Sequence, residues 1–221
     1  MICVAISEPD LDKCLKTLDK VEMAEIRIDL TGFDTETVTK VFSYSPQTVT
    51  IATCRTGNNV SIQDQYNKLA AAVRAGAHYI DIELEAEEDH RKALIELAHS
   101  EERKVIVSYH NFDSTPQMQE LFKIAEKCYQ CGADVAKIVT TANSDADNAK
   151  VLSLYNSNRP LVAFTMGCKG KISRIMAPFM GAAFTFASMD DGKETAPGQI
   201  RYSSMKKIMK LLENELNQEN N

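Results

Sequence analysis

The chain has 221 residues, of which 44% are hydrophobic and 25% charged, a composition typical of globular proteins and unlike that of disordered chains. Its net charge of −6 disfavours broad binding to nucleic acid, and no apolar run approaches the ~18 residues that span a membrane. The six cysteines are scattered along the chain, which favours reduced thiols and predicts a cytoplasmic protein.

Short apolar runs alternate along the chain with longer stretches of helical periodicity. The predicted strands are Met1–Ile6, Ala24–Asp29, Thr48–Thr53, Tyr79–Glu83, Val105–Tyr109, Val135–Ile138, Leu161–Thr165 and Ala183–Phe186. Helices are predicted over Gln63–Ala75 and Gln117–Cys131. Ser61 suits the N-cap of the first of these helices and Gly76 its C-terminal end.

The number of strands favours a closed barrel. Eight strand–helix units give ~28 residues each, which fits a single-domain (β/α)8 TIM barrel. A doubly wound open sheet is the alternative, but it usually has fewer strands, and no glycine-rich dinucleotide motif follows Ile6. We therefore expect one catalytic domain over residues 1–213, followed by a polar tail over 214–221 that frays.

Two predicted strands carry charges where a covered parallel strand should be apolar. In Glu25–Asp29 and in Asp81–Glu85, charged residues alternate with apolar ones and therefore share one face. Because the apolar face must pack on helices, the charged face is predicted to point into the barrel, where charges need partners. The alternative is an edge strand with its charges in water, which would require two non-adjacent edges.

Two residues on neighbouring predicted strands suggest covalent chemistry. Lys137 lies in an otherwise apolar strand, and burial of its ammonium predicts a lowered pKa and an amine that can form a Schiff base. The alternative is an ammonium paired with an inward carboxylate such as Glu83. His110 ends the preceding strand, at the face where TIM barrels react, and can exchange protons near neutral pH. The alternative for His110 is a capping role at the strand end.

Arginines at the same rim indicate a small anionic substrate. Arg55 follows the third strand and Arg174 the seventh, and guanidinium groups suit a carboxylate or a phosphate. A structural ion pair is an equally open interpretation for either arginine alone. The segment Asp190–Pro197 has the composition of a lid.

The most informative signal is a set of motifs in combination, spread nearly end to end. They are Glu25–Asp29, Thr53–Arg55, Ile80–Glu83, Ser108–Phe112, Gly132–Lys137, Met166–Gly170 with Ser173-Arg174, and Ala196–Gln199. The chain with these motifs resembles type I 3-dehydroquinate dehydratase, the Schiff-base dehydratase of the shikimate pathway. The resemblance implies a TIM-barrel homodimer without metal or cofactor that converts 3-dehydroquinate to 3-dehydroshikimate, the third step toward chorismate and aromatic amino acids.

The resemblance also implies residue roles. Lys137 would form an imine with the substrate ketone, His110 would move the protons, and Arg174 would hold the substrate carboxylate. The other positions that it implies in substrate binding or site order are Ser7, Glu25, Arg27, Arg55, Met166, Thr195 and Gln199.

The chain departs from the family pattern in three places. Asn59 stands where the family commonly has a glutamate that supports the catalytic histidine, which predicts a lower pKa for His110. Thr195 replaces the usual lid serine. The sequence starts at the first strand, so we expect no N-terminal hairpin that plugs the barrel bottom.

Two other functions stay open at this point. A class I aldolase on another barrel would share the Schiff-base lysine. A catalytically inactive barrel could instead bind a carboxylated metabolite as a sensor; Asn59 favours this weakly, and retention of Lys137 and His110 argues against it.

Overall fold

The computed structural model describes residues 1–44, 47–57, 60–190 and 194–218, and its eight parallel strands form a nearly closed barrel. The strands are β1 (Ile2–Ile6), β2 (Met23–Arg27), β3 (Val49–Thr53), β4 (Tyr79–Glu83), β5 (Lys104–Asn111), β6 (Val135–Thr141), β7 (Leu161–Met166) and β8 (Thr185–Ser188). The helices are α1 (Leu11–Leu18), α2 (Ile28–Thr31), α3 (Thr35–Tyr44), α4 (Ile62–Ala75), α5 (Glu88–Ser100), α6 (Met118–Gln130), α7 (Asp145–Leu152), α8 (Lys171–Met176) and α9 (Tyr202–Gln218). Short 3-10 turns lie at Ser153–Asn156, Cys168–Gly170 and Ala177–Met180.

The strand order confirms the predicted TIM barrel. Each strand from β1 to β7 pairs in parallel with the next, and β8 returns to pair with β1. The gap between β7 and β8 is bridged at the start of β7, where the Ala183 backbone N–H donates to the Leu161 carbonyl at 2.9 Å. None of the described helices is long and apolar enough to cross a membrane.

Local signals set both ends of α4. The Ser61 side chain accepts a hydrogen bond from the Asp64 backbone N–H and caps α4, and Gly76 ends that helix with a φ of 109°. A side chain at this φ would be strained, which explains the glycine. The helix α6 is one residue shorter at each end than predicted.

Most predicted strand boundaries differ from the structure by one to three residues, and the end of the second strand bears on the site. The second strand ends at Arg27, and Asp29 lies on the short helix α2, where its carboxylate accepts from Arg27 at 2.7 Å. The chain leaves the barrel wall there because the ion pair and the left-handed Gly32 favour a turn over a longer strand. Near the carboxyl terminus, α9 runs from Tyr202 to Gln218, and the buried side chains of Met205 and Met209 lie on its inner face.

The interior of the barrel changes character along its axis. Its lower part is apolar and is filled by Cys3, Met23, Ile51 and Ile106. Above this layer, buried polar side chains occupy the same inward faces, and they are Glu25, Thr53, Asp81, Ser108 and Lys137. Since β2 and β4 are each paired on both sides, the edge-strand interpretation of their charges is wrong. The fold therefore places a charged layer just below the carboxyl ends of the strands.

Candidate active site

A cavity opens at the carboxyl end of the barrel, with a volume of about 620 Å³ when the open space at its mouth is included. Nine of the ten predicted site residues line it, and they are Glu25, Arg27, Arg55, His110, Lys137, Met166, Arg174, Thr195 and Gln199. The tenth, Ser7, follows β1, is partly buried and does not line the cavity. Apolar walls come from Val139, Phe164, Phe186 and Ala196. The pocket thus combines many charged groups with apolar surface, as small-molecule sites do.

Lys137 lies at the floor of this cavity and is only 5% exposed. Its Nζ is 2.8 Å from Asp81 Oδ2 and 3.2 Å from Glu25 Oε1. The same nitrogen is 4.3 Å from the centre of the Phe186 ring, within the range of a cation–π contact. Three neighbours therefore favour the charged form of the amine.

The predicted lowering of the Lys137 pKa is wrong. Burial does lower it and is the largest single cause, but the charges of Asp81 and Glu25 together raise the pKa above its ordinary value. The alternative of a carboxylate-paired ammonium describes the resting site, with Asp81 and Glu25 as partners in place of Glu83. The lysine must therefore lose a proton before it can attack a carbonyl.

Asp81 is the central residue that the sequence-based site prediction missed. Its Oδ1 accepts from Arg55 Nη2 at 2.7 Å and from Ser108 Oγ at 2.6 Å, while Oδ2 accepts from Lys137. The side chain is fully buried; burial tends to raise its pKa, but Arg55 and Lys137 hold that pKa well below its usual range. The alternating charges of its strand signalled an inward carboxylate. Its contact with the lysine depends on barrel geometry, which no local pattern encodes.

Arg55 links this carboxylate cluster to the cavity. Besides Asp81, its guanidinium donates to Ser108 Oγ at 3.1 Å and lies 3.8 Å from Glu83 Oε1. Its Nη1 is buried and has no partner among the described residues. An unsatisfied buried N–H beside a cavity favours a polar ligand group at that position.

His110 is the titratable group best suited to act as a base. It is the next-to-last residue of β5, is partly buried, and stacks against Phe112 with ring centres 6.0 Å apart and planes 13° apart. Burial, then the positive charges of Arg55 and Lys137, lower its pKa well below the ordinary value. The direction agrees with the sequence-based prediction, although Asn59, on which that prediction rested, lies outside the described residues. A neutral imidazole at pH 7 can accept a proton.

Arg174 is a buried cation without a carboxylate partner in the described part of the chain. It lies on α8, is 1% exposed, and its guanidinium carbon is 4.2 Å from the centre of the Phe164 ring. Nη2 approaches the Pro197 carbonyl at 3.5 Å, and Nε is buried and unpartnered. Burial lowers its pKa to about 10, with Glu194 opposing. An unpaired buried guanidinium is costly, so this position favours an anionic ligand.

The segment after β8 closes the side of the cavity. The Thr195 backbone N–H donates to Gln199 Oε1 at 2.8 Å, and Gln199 Nε2 donates to Thr195 Oγ1 at 3.0 Å. The Gly167 backbone N–H donates to the Pro197 carbonyl at 3.2 Å and docks the segment on the turn after β7. Of the predicted lid, residues 191–193 lie outside the described ranges.

Two further predicted residues complete the wall. Arg27 makes a bidentate ion pair with Asp29, through Nε at 3.1 Å and Nη2 at 2.7 Å. Met166, the last residue of β7, is 2% exposed and packs beside Phe164 and Phe186 in the interior cluster. Within the described residues, no group of three or more histidine, cysteine or carboxylate side chains is arranged to hold a metal ion.

The chain is similar to known proteins along nearly its whole length. The family described as type I 3-dehydroquinase matches residues 2–215. The chain is 32% identical over 223 residues to a 3-dehydroquinate dehydratase of Methanocaldococcus jannaschii, covering 96% of this chain and 99% of the relative. It is 35% identical over 226 residues to the corresponding protein of Methanococcus vannielii, covering 96% and 100%. A solved type I 3-dehydroquinate dehydratase from Clostridium difficile, with covalent modified comenic acid, gives a TM-score of 0.85 at 25% identity, covering 97% and 92%.

Proposed function

The chain belongs to the type I 3-dehydroquinase family and dehydrates 3-dehydroquinate through a Schiff base, and we propose that Lys137 and His110 carry this reaction. The observation behind the assignment is the presence, in one cavity, of a buried lysine, a histidine that is neutral at pH 7 and an arginine with no carboxylate partner among the described residues. The product, 3-dehydroshikimate, continues along the shikimate pathway toward aromatic compounds.

Binding of the substrate begins with charge pairing. The substrate carboxylate binds Arg174, whose buried guanidinium has no acidic partner among the described residues. Gln199 and Thr195 close over the same end of the cavity, and Arg55 offers its free Nη1 to a hydroxyl. This places the ketone above Lys137.

Formation of the imine requires a proton acceptor, because Lys137 rests as an ammonium. His110, neutral and in the same cavity, takes that proton, and the free amine attacks the C3 carbonyl. The carbinolamine then loses water, with His110 returning the proton to the departing oxygen. The resulting iminium carries the positive charge that the ammonium had, so Asp81 and Glu25 stabilise it without rearrangement.

The elimination uses the same histidine. His110 removes a proton from C2, the electrons move into the iminium, and the C1 hydroxyl leaves as water after receiving that proton. Water then hydrolyses the conjugated imine, which releases the enone product and the free lysine. The overall loss is one water molecule.

Reductive trapping tests the residue assignment. With 3-dehydroquinate and borohydride, we expect a reduced adduct on the peptide that contains Lys137, and without borohydride a growing enone absorbance. Lys137→Met should abolish both while keeping the fold. An adduct on another lysine, or turnover by the variant within about tenfold of wild type, would contradict the assignment. An adduct formed only with an aldol substrate would support the aldolase, and no adduct with either would support the sensor.

Three further properties belong to this proposal. We expect a homodimer with twice the 24.6 kDa of the chain, which sedimentation tests, because the family resemblance implies one. We expect a cytoplasmic protein with a single catalytic domain over residues 1–213. The six cysteines, all free in the structure, support a reducing compartment.

A further inference from the structure

Phe112 is exposed to solvent and also contacts the proposed base. It is 68% exposed, the largest exposed fraction among the large apolar side chains of the described residues. It also stacks nearly parallel to the imidazole of His110 and lines the reaction cavity. Single exposed apolar side chains are common on protein surfaces, so it is the stacking on the proposed base that points to a role for this ring.

The backbone around Phe112 is pinned. Its carbonyl accepts from Thr141 Oγ1 at 2.8 Å, and the Asn111 side chain accepts from the Asp113 backbone N–H at 3.0 Å. The Asp113 carbonyl in turn accepts from Asn143 Nδ2 at 2.9 Å. The ring is therefore carried on a turn that β6 and the residues after it hold in place.

In the part of the chain that the structure describes, no hydrogen bond orients the imidazole that Phe112 covers. Within residues 1–44, 47–57, 60–190 and 194–218, no group donates a hydrogen bond to a ring nitrogen of His110 or accepts one from it. A base that must meet both a C2 proton and a C1 hydroxyl needs a defined ring plane. Packing against a fixed aromatic ring supplies such a plane.

We infer that Phe112 is a positioning residue, whose ring fixes the plane of the His110 imidazole for both proton transfers. The inference rests on the proposed role of His110. Because the contact is an offset stack of two flat rings, an aromatic side chain is required at this position, and an aliphatic one of similar size does not replace it.

Four variants test this. Phe112→Ala and Phe112→Leu should each lower kcat by about tenfold or more, with KM changed by less than about threefold, because the base is misaligned while the anion site is intact. Phe112→Tyr should keep kcat within about threefold of wild type, since the ring is retained. Phe122→Ala is the matched control: Phe122 lies on α6, is 40% exposed and does not line the cavity, so kcat should not change.

A readout without turnover separates positioning from general loss of structure. Loss of the ring exposes the imidazole, and burial is the largest cause of its lowered pKa, so the His110 proton resonance should titrate at higher pH in Phe112→Ala. If the alanine variant fails to fold, Phe112→Leu carries the test. Wild-type kcat in either variant, or equal rescue by leucine and tyrosine, would overturn the inference. A missing Lys137 adduct in the wild-type protein would instead overturn the proposed function.

Discussion

Lys137 is held as an ammonium between Asp81 and Glu25, so the resting site already contains the charge that an iminium carries. A buried lysine without nearby carboxylates would have a lower pKa and a larger fraction of neutral amine. Its iminium, however, would be destabilised by the same burial. The structure favours stabilisation of the cationic intermediate over easy deprotonation. In the mechanism that we propose, this arrangement requires the neutral His110 twice, first to deprotonate the lysine and then to remove the C2 proton.

Asp81→Asn should lower the pH at which Lys137 becomes reactive, because Asp81 raises the pKa of that lysine. The check is the pH dependence of Lys137 acylation followed by mass spectrometry without substrate. In the same variant kcat should fall by about tenfold or more, since the iminium loses a carboxylate. Asp29→Asn is the control, because Asp29 pairs with Arg27 and not with Lys137. An acylation profile identical to wild type would show that Asp81 does not set the charge of Lys137.

Arg174→Met should act on substrate binding. A charge-assisted hydrogen bond contributes ~1.5–3 kcal/mol, so KM should rise by about tenfold to a hundredfold. Arg159→Met serves as the control, because Arg159 makes an exposed ion pair with Glu126 and does not line the cavity. Steady-state kinetics decide the matter, and an unchanged KM would remove Arg174 from the carboxylate site.

At the scale of elements, the sequence predicted the presence of the strands well but the residues at which they end poorly. All eight strands follow from apolar runs, and the caps of α4 follow from Ser61 and Gly76. The early end of β2 was missed because the ion pair of Arg27 with Asp29 is a side-chain contact that period-two alternation does not encode. Contacts across the barrel, such as Lys137 with Asp81, depend on closure of the sheet and were likewise beyond a local pattern.

Gly198→Ala tests how the segment after β8 is seated. Gly198 has a φ of 77°, and a Cβ there would lie 2.4 Å from the Gly167 carbonyl oxygen. The segment must move off the β7 turn, which carries Thr195 and Gln199 away from the cavity. We expect kcat/KM to fall by about tenfold or more, as misplacement at a reacting site does.

The control for this variant is Gly181→Ala. Gly181 has a φ of 100° but no atom within 4 Å of its added Cβ, so it shares the backbone strain without the clash. Kinetics and thermal unfolding together decide the result. Equal losses of kcat/KM in both variants would mean that strain alone, and not the seat of the segment, accounts for the effect.

At the scale of the molecule, the net charge of −6 describes the surface, while the cavity gathers Arg27, Arg55, Lys137 and Arg174. Strand count and repeat length predicted this architecture, because eight units of similar length leave few other ways to close a parallel sheet. Folding holds a set of titratable groups in this site in one charge state. Stability therefore depends on pH.

His110 makes that dependence measurable. Its folded pKa lies below the ordinary value, so between the two pKa values the unfolded chain binds more protons than the folded one. The contribution of His110 to the free energy of unfolding is fully present above the unfolded pKa near 6.5. It is lost as pH falls below that pKa, by up to about 1.4 kcal/mol per pH unit for one group. Burial also lowers the pKa values of His78 and His90, and these residues therefore add to the dependence of stability on pH.

Urea denaturation at pH 7 and at pH 5 should show a smaller loss of stability in His110→Asn than in wild type. His90→Gln is the comparison: His90 lies outside the reaction cavity and its pKa is lowered less strongly, so that variant should keep most of the wild-type pH dependence. If both variants lose stability between the two pH values as steeply as wild type, burial of the neutral imidazole does not couple folding to the protonation of the base.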